Sequence, residues 1–136
     1  ATEIGIDEIT PLICERSERK IIKLERLNKI LISSIKQSLQ YQLPKLNKMM
    51  TFKDFVIKDY NQKKLIAHCG IDKKQPLMSL KNKNKYLILI GPEGDFSATE
   101  IKLAKENNYT SISLGQNRLR TETAGIVATN TINLNN

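Results

Sequence analysis

Two short apolar runs, each stopped by glycine, constrain this chain more than anything else in it. Leu87-Ile88-Leu89-Ile90 ends in Gly91-Pro92-Glu93-Gly94, and Ser111-Ile112-Ser113-Leu114 ends in Gly115. Runs of this length and composition read as buried strands of a parallel sheet. Between them Ser97-Ala98-Thr99-Glu100 has the form of a capping box, opening a helix through Ile101, Leu103 and Ala104 to about Asn107. A polar turn over residues 116–120 then leads to Thr121-Glu122-Thr123-Ala124-Gly125. A last helix is expected over residues 123–132, packing through Ala124, Val127, Ala128 and Thr131. Strands alternating with helices imply an α/β fold with a mostly parallel sheet. Two strands that each finish in glycine would set two flexible loops side by side at the sheet's carboxyl edge, where α/β proteins bind ligands.

The chain upstream reads as support. Residues 8–13 form a short strand containing a proline, suited to an edge or a strand end. Ile21, Leu24, Leu27, Leu31, Ile35 and Leu39 recur at three- and four-residue steps, so residues 21–40 are expected to be helical. Lys23, Arg26, Lys29 and Lys36 lie on the opposite face. Pro44 breaks that pattern. Thr51 is placed to cap a short helix over residues 52–57. Residues 64–70 make another apolar strand ending in glycine, with His68, the only histidine, at its end; a structural role suits it better than a catalytic one. Residues 73–85 form a lysine-rich segment expected to be an exposed loop. One domain accommodates all 136 residues, and no repeat or low-complexity segment interrupts them.

The net charge of +8 points towards a polyanion, RNA or DNA or an anionic membrane surface, although a lysine-rich solvated surface accounts for it equally well. No apolar run approaches the roughly 20 residues that span a bilayer, and the first residues have no secretion-signal pattern. Cys14 and Cys69 follow no metal-ligand spacing and fit reduced thiols of a cytoplasmic protein, and no ligand cluster calls for a metal.

Glycine at the loop entries lets backbone amides approach a ligand. Gly91-Pro92-Glu93-Gly94 is neither a Walker loop nor the dinucleotide fingerprint. Its carboxylates, Glu93 and Asp95, would repel phosphates, so a ligand with a cationic centre such as S-adenosylmethionine fits better.

LIGPEGDFSATEI followed by SLGQNRLRTETAGIVA resembles the signature pair of the ribosomal RNA small-subunit methyltransferase E family. ATEIGIDEITPLICERS, IKQSLQYQLPKL and FKDFV resemble it as well, so the similarity covers nearly the whole chain. The resemblance implies a SPOUT-class enzyme that methylates N3 of a uridine, uracil-1498, in 16S ribosomal RNA of the 30S subunit. It implies a deep C-terminal trefoil knot spanning about residues 87–124, an exception to the rule of unknotted chains. It also implies a homodimer with the active site near the subunit interface. Carried over by position, S-adenosylmethionine would be bound by Ile90, Gly91, Gly94, Leu114, Gly115, Leu119, Arg120, Thr121, Thr123 and Ala124, with His68 and Cys69 near the rim.

The chain departs from the family pattern in two places. Asp95 stands where a second glycine is common, and Lys36-Gln37-Ser38 with Gln40 replaces a motif that is often followed by arginine. Such enzymes also usually carry an N-terminal β-barrel RNA-binding domain similar to PUA domains. The expectation is that residues 1–136 hold the catalytic domain alone.

Methylation at N3 requires loss of a weakly acidic proton while the uracil anion is held in line with the sulfonium. Arg118 and Arg120 suit stabilisation of a developing O2 or O4 anion, or a grip on phosphate. Glu93 and Glu122 are candidate bases, because a buried carboxylate has a raised pKa. Capping or charging the start of the last helix suits Glu122 better than catalysis. Two other readings stand beside this one: a non-enzymatic RNA-binding module whose glycine loops are only turns, and a SPOUT methyltransferase acting on another RNA site.

Overall fold

A computed structural model describes residues 1–80 and 83–136. Its centre is a four-stranded parallel sheet of β5 (Lys63–Ala67), β6 (Gln75–Pro76), β7 (Tyr86–Ile90) and β8 (Thr110–Ser113), in the spatial order β6-β8-β5-β7. The two glycine-stopped runs are strands as expected, but they are not neighbours, because β5 lies between them. β5 pairs with β7 from Lys63 opposite Tyr86 to Ala67 opposite Ile90, and on its other side it sets Ala67 opposite Ile112 of β8. Ala67, Ile90 and Ile112 therefore form one row across the sheet. The loops that follow them leave from the same edge.

Alternate side chains of each strand face opposite layers. Ile66 and Leu89 point into a cluster with Phe52, Phe55 and Val56 of α2 (Phe52–Val56) and with Ala104 of α3 (Ala98–Glu106), joined by Phe96, Tyr109 and Cys14. Leu65 and Ile112 point the other way, onto Leu77 and onto Ala128 of α4 (Thr121–Asn135). Both faces of the sheet are covered, which is why its strands carry unbroken apolar runs.

The local caps form as their sequences require. Thr51 Oγ1 accepts from the Asp54 amide at the start of α2. At α3, Ser97 Oγ accepts from the Glu100 amide at 3.2 Å while Glu100 Oε2 accepts from the Ser97 amide at 2.9 Å. The last helix begins two residues earlier and ends later than residues 123–132, and Ala124 and Ala128 form its buried stripe.

The N-terminal part departs further from expectation. Thr10-Pro11 divides residues 8–13 into β1 (Glu8–Ile9) and β2 (Leu12–Ile13), which pair in parallel with β3 (Lys45–Leu46) and β4 (Met50–Thr51). The helix expected over residues 21–40 is α1 (Leu24–Ser38), closed by Leu39 in the left-handed region at φ 55°. Ile21 and Leu39, the ends of the expected stripe, lie outside it and are exposed, and Leu31 is its one fully buried residue. Residues 73–85 are not a plain loop. They contain β6 and a 3-10 turn, Leu77–Ser79, whose Leu77 is 1% exposed because it plugs the α4 side of the core. Lys81 and Asn82 of that segment lie outside the described residues.

Candidate functional site

Three loops meet at the carboxyl edge of the sheet. From β7 the chain enters a turn in which the Asp95 amide donates to the Pro92 carbonyl at 2.8 Å. A Cβ on Gly91 would come 3.2 Å from both Asp95 Oδ1 and the Phe96 ring, a close approach that favours glycine. From β8 the chain turns at Ser113, whose hydroxyl donates to the Gly115 carbonyl at 2.9 Å, and Gly115 sits at φ +146° with open space where a side chain would be. From β5 it passes through His68, Cys69 and Gly70.

The loops are bonded to one another. Thr121, the first residue of α4, donates through Oγ1 to the Gly91 carbonyl at 2.8 Å. Arg118 Nη2 reaches the Glu93 carbonyl at 3.4 Å. Asp95 adopts φ 63°, a region that aspartate tolerates better than most residues. Its Oδ2 accepts from the Cys69 amide at 2.9 Å. The carboxylate that replaces a glycine thus stitches the β5 loop to the β7 loop.

His68 is 7% exposed and held on both ring nitrogens. The Gly70 amide donates to Nδ1 at 3.1 Å, which leaves Nε2 to carry the proton and donate to Ser111 Oγ at 3.0 Å. Burial pushes its pKa down, with Lys74 adding to the effect and Asp95 and Asp72 opposing it. Gly70 has no room for a side chain there, since a Cβ would fall 2.9 Å from Nδ1.

The residues expected to bind the donor do not all face one space. Ile90 and Leu114 are half-buried and pack with α4 in one apolar cluster, and Ala124 is buried at 8% exposure. Gly91 and Thr121 are bonded to each other, Gly115 is open, and Leu119 is half-buried. Gly94 instead backs onto Arg16, with its Cβ direction 3.0 Å from the Arg16 Cβ. Arg120 occupies the N-cap position of α4 and is exposed, as are Arg118, Thr123, Glu93 and Glu122. The burial that motivates a carboxylate base is therefore absent at Glu93 and Glu122 in the single chain.

Sequence reasoning overlooked Arg16, which donates from Nη1 to the Gly94 carbonyl at 3.1 Å. Its turn is anchored by Glu100, whose Oε1 accepts from the Glu15 amide at 2.7 Å while its Oε2 caps α3. The charged run at residues 15–20 was the available signal. Among the described residues, no group of three potential ligands could hold a metal ion, and no helix is long and apolar enough to cross a membrane.

Comparison with known proteins agrees with these features. Residues 1–133 match the family described as the RNA methyltransferase domain. The chain is 35% identical over 134 residues to a Ribosomal RNA small subunit methyltransferase E of Rickettsia conorii, covering 94% of this chain and 54% of that protein. A protein of the same name from Synechocystis is 34% identical, with 97% and 46% covered. A crystal structure of a Ribosomal RNA small subunit methyltransferase E from Neisseria gonorrhoeae bound to S-adenosyl methionine superposes with a TM-score of 0.85 at 28% identity, covering 98% of this chain and 56% of that one. A probable rRNA-methyltransferase from Porphyromonas gingivalis gives 0.89 at 38% identity, with 98% and 58% covered. The chain spans about half the length of the relatives it matches.

Proposed function

Because this chain belongs to the RNA methyltransferase domain family, we propose that it binds S-adenosylmethionine at the carboxyl edge of its sheet and transfers the methyl group to ribosomal RNA of the small subunit. The observation that carries this reading is the Thr121–Gly91 hydrogen bond. It closes the two glycine loops on one another beside the open face of Gly115 and the apolar surface of Ile90 and Leu114. Backbone groups of the glycine loops and the half-buried Ile90 and Leu114 suit an adenosine, and the acidic loop suits a sulfonium better than a phosphate. The relatives' names and the donor-bound neighbour support the same choice.

In finer terms the target is N3 of uridine, uracil-1498 of 16S ribosomal RNA, and the enzyme is a cytoplasmic homodimer with a knotted C-terminal segment. Residues 1–136 form the catalytic domain, and the additional length of the relatives corresponds to a β-barrel RNA-binding domain. The placement of β8 between β5 and the earlier β6 is in keeping with such a topology.

The N3 proton is about as weakly acidic as a tyrosine hydroxyl, near pKa 10. Arg120 stabilises the uracil anion, Arg118 supports it, and the target base is splayed out of its stack to reach the donor. A base role for Glu93 or Glu122 then calls for RNA or a second subunit to cover a carboxylate that is exposed here.

Calorimetric titration with S-adenosylmethionine, and separately with ATP, tests the reading. Saturable binding of the methionine compound alone supports it, and methylation of unmodified 30S subunits is the next measurement. ATP binding alone overturns it, and binding of neither favours the RNA-binding module.

A further inference from the structure

Two guanidinium groups reach consecutive carbonyls of the same loop, from opposite ends of the chain. Arg16 holds the Gly94 carbonyl at 3.1 Å and Arg118 reaches the Glu93 carbonyl at 3.4 Å. Both side chains are exposed. Among the described residues neither is paired with a carboxylate: the ion pairs belong to Lys45 with Glu8, Lys102 with Glu106 and Lys105 with Asp72. Of the loop's own carboxylates, Asp95 is bonded to the Cys69 amide and Glu93 is exposed. A guanidinium fixed by a neutral carbonyl keeps its full charge and has five N–H donors to distribute. Its planar fork matches a phosphate, and less rotamer entropy is lost when it is already held.

We propose that Arg16 and Arg118 form a clamp for the phosphodiester backbone of single-stranded RNA, beside the loop at which the base is methylated. The choice of RNA as the anion rests on the function proposed above. Both arginines reach carbonyls of the loop at residues 91–95, and Arg16 is brought there by the anchoring of its turn to Glu100.

The test is fluorescence titration of a short, labelled, single-stranded uridine-rich RNA at several KCl concentrations, with the wild-type chain and with Arg16→Gln, Arg118→Gln and Lys102→Gln. Each phosphate contact on a single strand contributes about 0.7 to the slope of log K against log salt. Arg16→Gln and Arg118→Gln should each lower the slope by about that amount, and Lys102→Gln, whose partner is Glu106, should leave it unchanged. S-adenosylmethionine affinity of Arg16→Gln, measured by calorimetry, should equal that of wild type. An unchanged slope in either arginine variant overturns the clamp. So does a loss of donor affinity with an unchanged slope, which would make Arg16 a support of the loop only. RNA binding with the expected slopes in a chain that binds no S-adenosylmethionine would leave the clamp standing and remove the methyltransferase reading instead.

Discussion

Thr121 donates its hydroxyl to the carbonyl of Gly91 across 2.8 Å, so the first residue of the last helix fixes the first residue after β7. One neutral hydrogen bond is worth about 1 kcal/mol. Thr121→Val keeps the branched shape and removes the donor. S-adenosylmethionine binding is expected to weaken by roughly fivefold in calorimetry, with a small loss of thermal stability. Unchanged affinity would show that this bond does not organise the donor pocket.

Arg120 is exposed at the N-cap position of α4, where its side chain makes no capping bond. Arg120→Ala should leave the melting temperature and circular dichroism as they are. Transfer to unmodified 30S subunits should fall by at least about a hundredfold, the scale of losing one charge-stabilising group. Wild-type turnover in this variant would remove Arg120 from the mechanism.

Glu100 is 8% exposed and receives hydrogen bonds from two backbone amides, those of Glu15 and Ser97. Glu100→Gln turns an amide NH2 towards one of those donors and should lower urea-unfolding stability by about 2–3 kcal/mol. Because the same change frees the turn bearing Arg16, RNA binding should weaken in parallel.

His68 titrates below its usual value because it is buried. The unfolded chain therefore takes up its proton first as pH falls, near 6.5, while the folded chain holds the ring neutral. The stability that His68 contributes is complete above that pH and is lost as the pH drops through the window between the two values. Urea midpoints should decline as the pH falls below about 6.5, and His68→Gln should flatten the decline. A variant with the wild-type slope would assign the effect to other groups.

The two thiols should differ in reactivity. Cys69 is exposed, whereas Cys14 is buried and its thiol is pushed up to about 12, chiefly by burial and then by the Glu100 carboxylate. An aromatic disulfide reagent is expected to modify Cys69 in the native chain and Cys14 only after unfolding. Rapid labelling of both without denaturant would contradict this packing.

What could be read from sequence was local. The Ser97–Glu100 capping box and the Thr51 cap depend on residues three apart, and both form as written. β7 and β8 announced themselves as apolar runs because both faces of the sheet are covered. Their separation by β5 did not, since pairing order is set by contacts far apart in the chain. The start of α4 was misplaced because Arg120 provides no capping bond to mark it. At the site, Gly91 and Gly115 were legible as loop glycines, while Thr121 came only with the family resemblance. Arg16 was not, because its partner Gly94 lies on a distant loop.

The position of β8 also orders events in time. Of the four strands of the sheet it is made last, yet it sits inside, flanked by β5 and β6. On a translating ribosome β5 and β7 have each other as soon as both emerge. β6 has no hydrogen-bonding neighbour in the sheet until residues 110–113 follow, and its adjoining Leu77 must wait uncovered in the nascent chain. Closure of the sheet, and with it of the loops at its carboxyl edge, is thus deferred until synthesis of this segment is nearly finished.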